Sequence, residues 1–154
     1  MDEKNMSNFI TYYFKFKELW ELHQKYGFGN APDLPSGFTE QLCRKLLNLT
    51  KNGSNEFDAV DDKNKYEIKA TSSKEGKTTI NFRSEFDFLI WSYFSLEDNK
   101  IYLYKIPYKN FKPKFDELKK TKNGDIKRAS ITLSEYLKNI NPQVYSICKI
   151  LKLE

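Results

Sequence analysis

Apolar residues recur every three to four positions from about Lys4 to Tyr26: Phe9, Tyr13, Phe16 and Trp20 repeat, with Tyr12, Leu19 and His23 alongside. That period predicts a long first helix, stopped by Gly27 and Gly29. A helix with so many large aromatics needs an extensive partner surface, either the core or a second subunit. Pro32, Pro35 and Gly37 punctuate the next stretch into a loop. A second helix is expected from Ser36 or Thr39 to about Leu49, with Phe38, Leu42, Leu46 and Leu49 as its apolar stripe. Ser36 or Thr39 can cap it, and a first-turn Glu40 suits the positive end of its dipole.

The period then changes to two. Phe57 to Asp61 and Lys65 to Thr71 read as strands, with Glu56 at the edge and Asp61-Asp62-Lys63-Asn64 as the tight turn between them. Thr78 to Phe82 predicts a third strand. Phe86 to Phe94 is the most hydrophobic run, so its latter part is expected as a buried central strand and its front end as possible helix territory. Lys100 to Ile106 alternates, with Ile101, Leu103 and Lys105 on one face, and pairs with the preceding strand in a hairpin. Pro107 to Phe115 predicts a short helix or turn, and Leu118 to Arg128 a basic, glycine-containing loop. Ser134 to Ile140 predicts a helix, and Pro142 opens a last one through Val144, Ile147, Cys148 and Leu151. Helix, helix, five strands and terminal helices make an α+β fold, a mixed sheet covered by helices from both chain ends. With no repeat or long linker, residues 1–154 are expected as a single domain.

Composition narrows the class. Hydrophobic residues make up 39% and aromatics 16%, enough for a packed core without staples. No run reaches the roughly 18 apolar residues of a membrane span, and Met1-Asp-Glu-Lys-Asn lacks a signal core. A cytoplasmic protein with Cys43 and Cys148 reduced in apolar helices is therefore expected. The net charge of +5 permits a polyanionic partner, although the Lys/Asn/Ile-rich composition also fits an AT-rich genome. His23, the only histidine, has no metal-ligand spacing around it and is expected as a partly buried structural residue.

Chemistry concentrates on the predicted hairpin. Glu67 and Lys69 share one strand face, while Tyr66, Ile68 and Ala70 share the other. If the register brings Asp58 to that pair, two carboxylates and an ammonium converge. Mg²⁺ takes oxygen ligands, keeps several waters, and needs few protein carboxylates when a phosphate supplies the rest. Lys69 can then orient or help deprotonate a water, or offset charge on the phosphate, and a lysine among carboxylates favours its charged form, which suits electrostatic positioning. Glu-x-Lys also fits any solvated strand, so the triplet alone does not decide. Asp61 and Asp62 are accounted for as turn formers.

Phe57-Asp58-Ala59-Val60 followed by Tyr66-Glu67-Ile68-Lys69-Ala70-Thr71 resembles the PD-(D/E)xK nuclease motif. The wider order is similar to a family of small type II restriction endonucleases that cut GCNGC-type sites. Pro35 to Glu40, Thr78 to Phe82 and Phe86 to Trp91 carry that likeness, which covers about residues 33 to 106. Phe57 stands where the motif has proline, and the Asp58 to Glu67 spacing is short. The resemblance implies a restriction-endonuclease-like sheet and Mg²⁺-dependent hydrolysis of double-stranded DNA by a homodimer paired with a cognate methyltransferase. It carries Asp58 and Glu67 over as metal ligands, the Ile68 carbonyl as a third, Lys69 as the water-side lysine and Glu40 as an assisting helix glutamate.

For DNA contact, Lys74 and Lys77 follow the catalytic strand, Arg83 can bind guanine in bidentate fashion, and Lys127 and Arg128 can serve phosphates. Two rival functions share the sequence. One is a structure-specific repair nuclease or junction resolvase with the same centre. The other is a basic nucleic-acid-binding module in which Glu-x-Lys is only a solvated face.

Overall fold

The first expected helix forms with nearly the expected bounds, as α1 (Glu3–Tyr26), and α2 follows as Ser36–Leu47. The computed structural model describes residues 3–29, 32–53, 57–121 and 127–150. Gly27 closes α1 at φ 65°, donating its N–H to the His23 carbonyl. The start of α2 differs from expectation. Pro35 is its N-cap with no side-chain bond, while the Thr39 hydroxyl turns back to the Ser36 carbonyl at 3.2 Å. Glu40 lies beyond the first turn, so a helix-dipole role does not account for it.

Among the described residues seven strands follow: β1 (Ala59–Val60), β2 (Lys65–Thr71), β3 (Lys77–Asn81), β4 (Phe88–Ser95), β5 (Lys100–Pro107), β6 (Arg128–Thr132) and β7 (Gln143–Ser146). Five of them form one mixed sheet in the order β1-β2-β4-β5-β7, in which only β2 and β4 are parallel. Parallel neighbours need a crossover. Here it carries β3, which leaves the main sheet and pairs with β6 in a separate antiparallel ribbon.

β4 is buried on both faces, as its unbroken apolar run requires. Ile90 and Phe94 join Tyr13, Phe16, Leu42 and Ile68 beneath α1 and α2. Leu89 and Trp91 point the other way, into an aromatic cluster with Phe82, Phe111, Phe115 and Leu133. That second cluster is closed by the ribbon and by α3 (Lys112–Thr121). Burying an average core side chain in either cluster contributes about 1.5–3 kcal/mol.

The C-terminal elements depart most from expectation. Leu118 belongs to α3 and Arg128 opens β6, so the loop is shorter than the 118–128 stretch; its 122–126 segment lies outside the described residues. The Ser134 to Ile140 helix is a single 3-10 turn, Leu133–Tyr136, because Ile131 and Leu133 bury at a period of two as β6 enters it. The expected last helix begins instead as β7, pairing Gln143–Ser146 against the open edge of β5, and only Ile147–Ile150 is helical (α4). Leu151 and Glu56 lie outside the described residues. Phe86 and Asp87 form no helix.

Lys105 is exposed rather than inward, its ammonium 4.2 Å from the Phe88 ring centroid. Both cysteines are free; Cys43 is buried and shares a 2.6 Å hydrogen bond with Ser92, while Cys148 is only half-buried. Among the described residues, no helix is long and apolar enough to cross a membrane.

Candidate active site

The hairpin turn is built by one carboxylate. Asp61 Oδ1 accepts the N–H groups of Lys63 and Asn64 at 2.8 and 2.7 Å, and Oδ2 accepts the Tyr66 hydroxyl at 2.7 Å. Those donors, Tyr66 foremost, hold the Asp61 carboxyl below its ordinary range. Asp61 is thus a turn former, as its position in the sequence suggests, and Asp62 stands exposed beside it.

β1 is only two residues long, pairing Ala59 with Tyr66 and Val60 with Lys65. The expected strand from Phe57 to Asp61 therefore stops short, which leaves the outer edge of β2 unpaired beyond Tyr66. The register, continued one step, sets Asp58 opposite Glu67. Asp58 Oδ2 accepts the Ile68 N–H at 2.7 Å, taking the place of a strand partner. In a strand the N–H and C=O of one residue leave on the same edge, so the Ile68 carbonyl faces the side occupied by Asp58. The Ile68 side chain is buried in the helical cluster.

Glu67 and Lys69 project from the other face, beside Leu89 and Trp91 of β4. Lys69 Nζ lies 3.2 Å from Glu67 Oε1, with both side chains largely shielded. Glu40 approaches from α2 at the β1 edge. Arg44, one turn further along, has its guanidinium 3.7 Å from Glu40 Oε2 and donates to the Asp58 carbonyl at 3.1 Å. Arg44 escapes the sequence reading, although its i, i+4 spacing from Glu40 was available. It ties the helix to the edge where Asp58 sits.

Electrostatics links the carboxylates. Burial raises the proton affinity of Glu67, and the Asp58 charge raises it further against the pull of Lys69. Burial likewise raises that of Glu40, again with Asp58 adding to it and Arg44 opposing. Three acids therefore share one neighbourhood with excess negative potential. Among the described residues, however, no three His, Cys, Asp or Glu side chains converge closely enough to hold an ion by themselves. Two carboxylates with a main-chain oxygen fit the chemistry of Mg²⁺, which completes its shell with waters and substrate oxygens.

Behind the site the loop after β2 is fixed. Trp91 Nε1 donates to Thr71 Oγ1 at 3.0 Å, and that hydroxyl donates to the Ser73 carbonyl at 2.8 Å. Gly76, at φ 68°, passes so near the indole that a Cβ would lie 2.5 Å from Trp91 Cζ2. Only glycine fits that turn.

The basic residues separate into two groups. Lys74 and Lys77 are exposed at the start of the ribbon, Lys77 lying 3.2 Å from Glu75. Arg83 stands past its far end, its guanidinium 5.4 Å from the Phe82 ring centroid, near Lys127 and Arg128; Arg128 pairs with Asn81, and the Phe82 N–H meets the Lys127 carbonyl. The five residues between these groups span about 17 Å. His23 is half-buried and packs edge-on to Phe28.

No curated protein matches the chain. The family described as Bsp6I restriction endonuclease matches residues 1–130, a span holding α1, α2, the whole β1–β2 hairpin with its acids and Lys69, and every strand up to β6. The chain belongs to the Bsp6I restriction endonuclease family and is a type II restriction endonuclease, an enzyme that hydrolyses DNA.

Proposed function

We propose that Asp58, Glu67 and Lys69 form the catalytic centre of a Mg²⁺-dependent, site-specific deoxyribonuclease, with Asp58, Glu67 and the Ile68 carbonyl as metal ligands. The observation that carries this reading is the Asp58 carboxylate anchored on the open edge of β2 beside the Glu67–Lys69 pair. The excess negative potential at Glu67 and Glu40 suits a divalent cation. Bound Mg²⁺ supplies charge neutralisation at the scissile phosphate and a more acidic water.

The residues of the chain do the positioning. The Ile68 N–H fixes one Asp58 oxygen, and the other is the one assigned to the cation. Glu67 holds the Lys69 ammonium at the site, where it orients the attacking water and stabilises charge on the phosphate. A P–O bond to the water oxygen forms, one phosphodiester P–O bond breaks, the water proton passes to solvent, and the leaving alkoxide takes up a proton from solvent. Glu40 acts from α2 on the charge balance of the centre, held there by Arg44. Lys74, Lys77 and Arg83 contact DNA, the two lysines near the catalytic strand and Arg83 at the ribbon's far end.

The whole chain works as one nuclease domain in the cytoplasm, beside a methyltransferase that protects host DNA. A homodimer reads a short palindrome of the GCNGC type, each subunit cutting one strand. Digesting mixed unmethylated plasmid DNA with Mg²⁺ and sequencing the fragment ends tests this. A single short palindrome at the ends is expected. Absence of cutting with Mg²⁺, or cutting that EDTA leaves unchanged, would overturn it.

A further inference from the structure

The inward face of α1 buries Tyr13 and Phe16, yet its outward face also carries large apolar side chains among the polar ones. Tyr12, Leu19, Leu22 and Tyr26 are 42–55% exposed, and Phe28, stacked on Tyr26 at 5.5 Å, is 70% exposed. Single exposed apolar residues need no explanation, but a contiguous stripe does. The exposed positions Asn8, Tyr12, Lys15, Leu19, Leu22 and Tyr26 follow steps of four and three along the whole helix. That is a heptad seam, with Tyr12, Leu19 and Tyr26 at one core position and Asn8, Lys15 and Leu22 at the other.

We infer that α1 pairs antiparallel with α1 of a second copy of this chain, around a two-fold axis passing between Leu19 and Leu22. Charge picks out this occupant. In that register Leu19 meets Leu22 of the second copy, and the Lys15 ammonium meets the ring of its Tyr26. Glu18, exposed on the flank of the seam, meets its Lys25, and each contact occurs twice by symmetry. The self-complementary pattern needs no other chain. A polar Lys15 within the seam fixes the register, since a slipped pairing buries it without the Tyr26 ring.

This surface deepens the homodimer reading above and rests on it, but it has its own test. The full-length protein is examined by sedimentation equilibrium and circular dichroism. Wild type is expected as a dimer at about 50 μM, well above a micromolar Kd. Leu19→Glu/Leu22→Glu places charge in the seam and is expected to raise the dimer Kd at least about 100-fold, with unchanged helicity. Glu18→Lys or Lys25→Glu alone turns two attractive pairs into repulsive ones and raises the Kd about tenfold, whereas the double reversal returns to within about threefold of wild type. A wild-type monomer at that concentration overturns the inference. A Leu19→Glu/Leu22→Glu protein that stays dimeric also overturns it while leaving the two-fold nuclease standing, its interface elsewhere. A double reversal that rescues nothing overturns the antiparallel register.

Discussion

The two faces of β2 work under opposite constraints. On one, Tyr66 and Ile68 pack beneath the helices at 3% and 4% exposure, and Ala70 packs against the same cluster. Each of these apolar groups contributes to stability. On the other, Glu67 and Lys69 come next to one another at an edge where Asp58 and Glu40 crowd in, and Glu67 and Glu40 hold their protons more firmly than usual. Two residues further, Thr71 returns to structural duty, buried and bonded to Trp91. A single period-two strand thus carries a stabilising face and a face whose charges cost stability at neutral pH. Substitutions on the two faces should separate folding from cleavage.

The largest separation is expected at Asp58. Asp58→Ala removes the proposed metal ligand and the acceptor of the Ile68 N–H, and single-turnover cleavage should fall by at least about 10³-fold. Circular dichroism of the variant should match wild type. The opposite face is broken by Ile68→Ala, expected to cost about 2–5 kcal/mol in urea unfolding, because the buried site cannot fully collapse.

With the proposed site, Mg²⁺ should stabilise the folded wild type, since the unfolded chain would offer it no assembled ligand set. At ten times its Kd the gain is about 1.4 kcal/mol, read as a rise in the thermal midpoint. Asp58→Ala should lose that rise. A midpoint equally raised in both proteins would place the cation elsewhere.

Glu67→Gln gives the smallest effect on folding and reverses its sign. The raised folded-state proton affinity of Glu67 means that the native state binds more protons than the unfolded chain. Its contribution is therefore fully present below the unfolded pKa, near 4.3, and is lost as pH rises through the higher folded value. At pH 7 the ionised carboxylate costs stability. Glu67→Gln should then unfold at higher urea than wild type, by about 0.5–2 kcal/mol, while losing cleavage. Below about pH 4 the two proteins should converge. A destabilised Glu67→Gln at pH 7 would show that the Lys69 bond outweighs burial.

The same contrast between faces explains what could be read from the chain. The hairpin was legible because alternation and a turn-forming Asp61 are both local, and the latter part of the Phe86 to Phe94 run was legible as β4 because a short apolar stretch between polar turns suits a buried strand. Glu40 was visible as a helix residue, but its place beyond the first turn depended on Pro35 serving as the cap. β6 and β7 were not legible, since their strand state comes from distant partners: Asn81 to Lys77 for β6, and the bare edge of β5 for β7. Ser134 and the 144–148 apolar spacing favour helix until those edges claim the backbone. β3 was placed as a strand, but its departure from the main sheet follows from pairing with β6. Arg44 illustrates the same limit. Its bond to the Asp58 carbonyl spans fourteen residues and two elements.

The most direct test sets Lys69→Ala beside wild type on a duplex containing the mapped site, scoring binding in EDTA and cleavage after Mg²⁺ addition. Lys69 belongs to neither hydrophobic cluster, so its loss should leave binding within about threefold. Cleavage should slow by about 10³-fold or more. A Lys69→Ala protein that cuts the site at nearly the wild-type rate would contradict the assignment of the centre to β2.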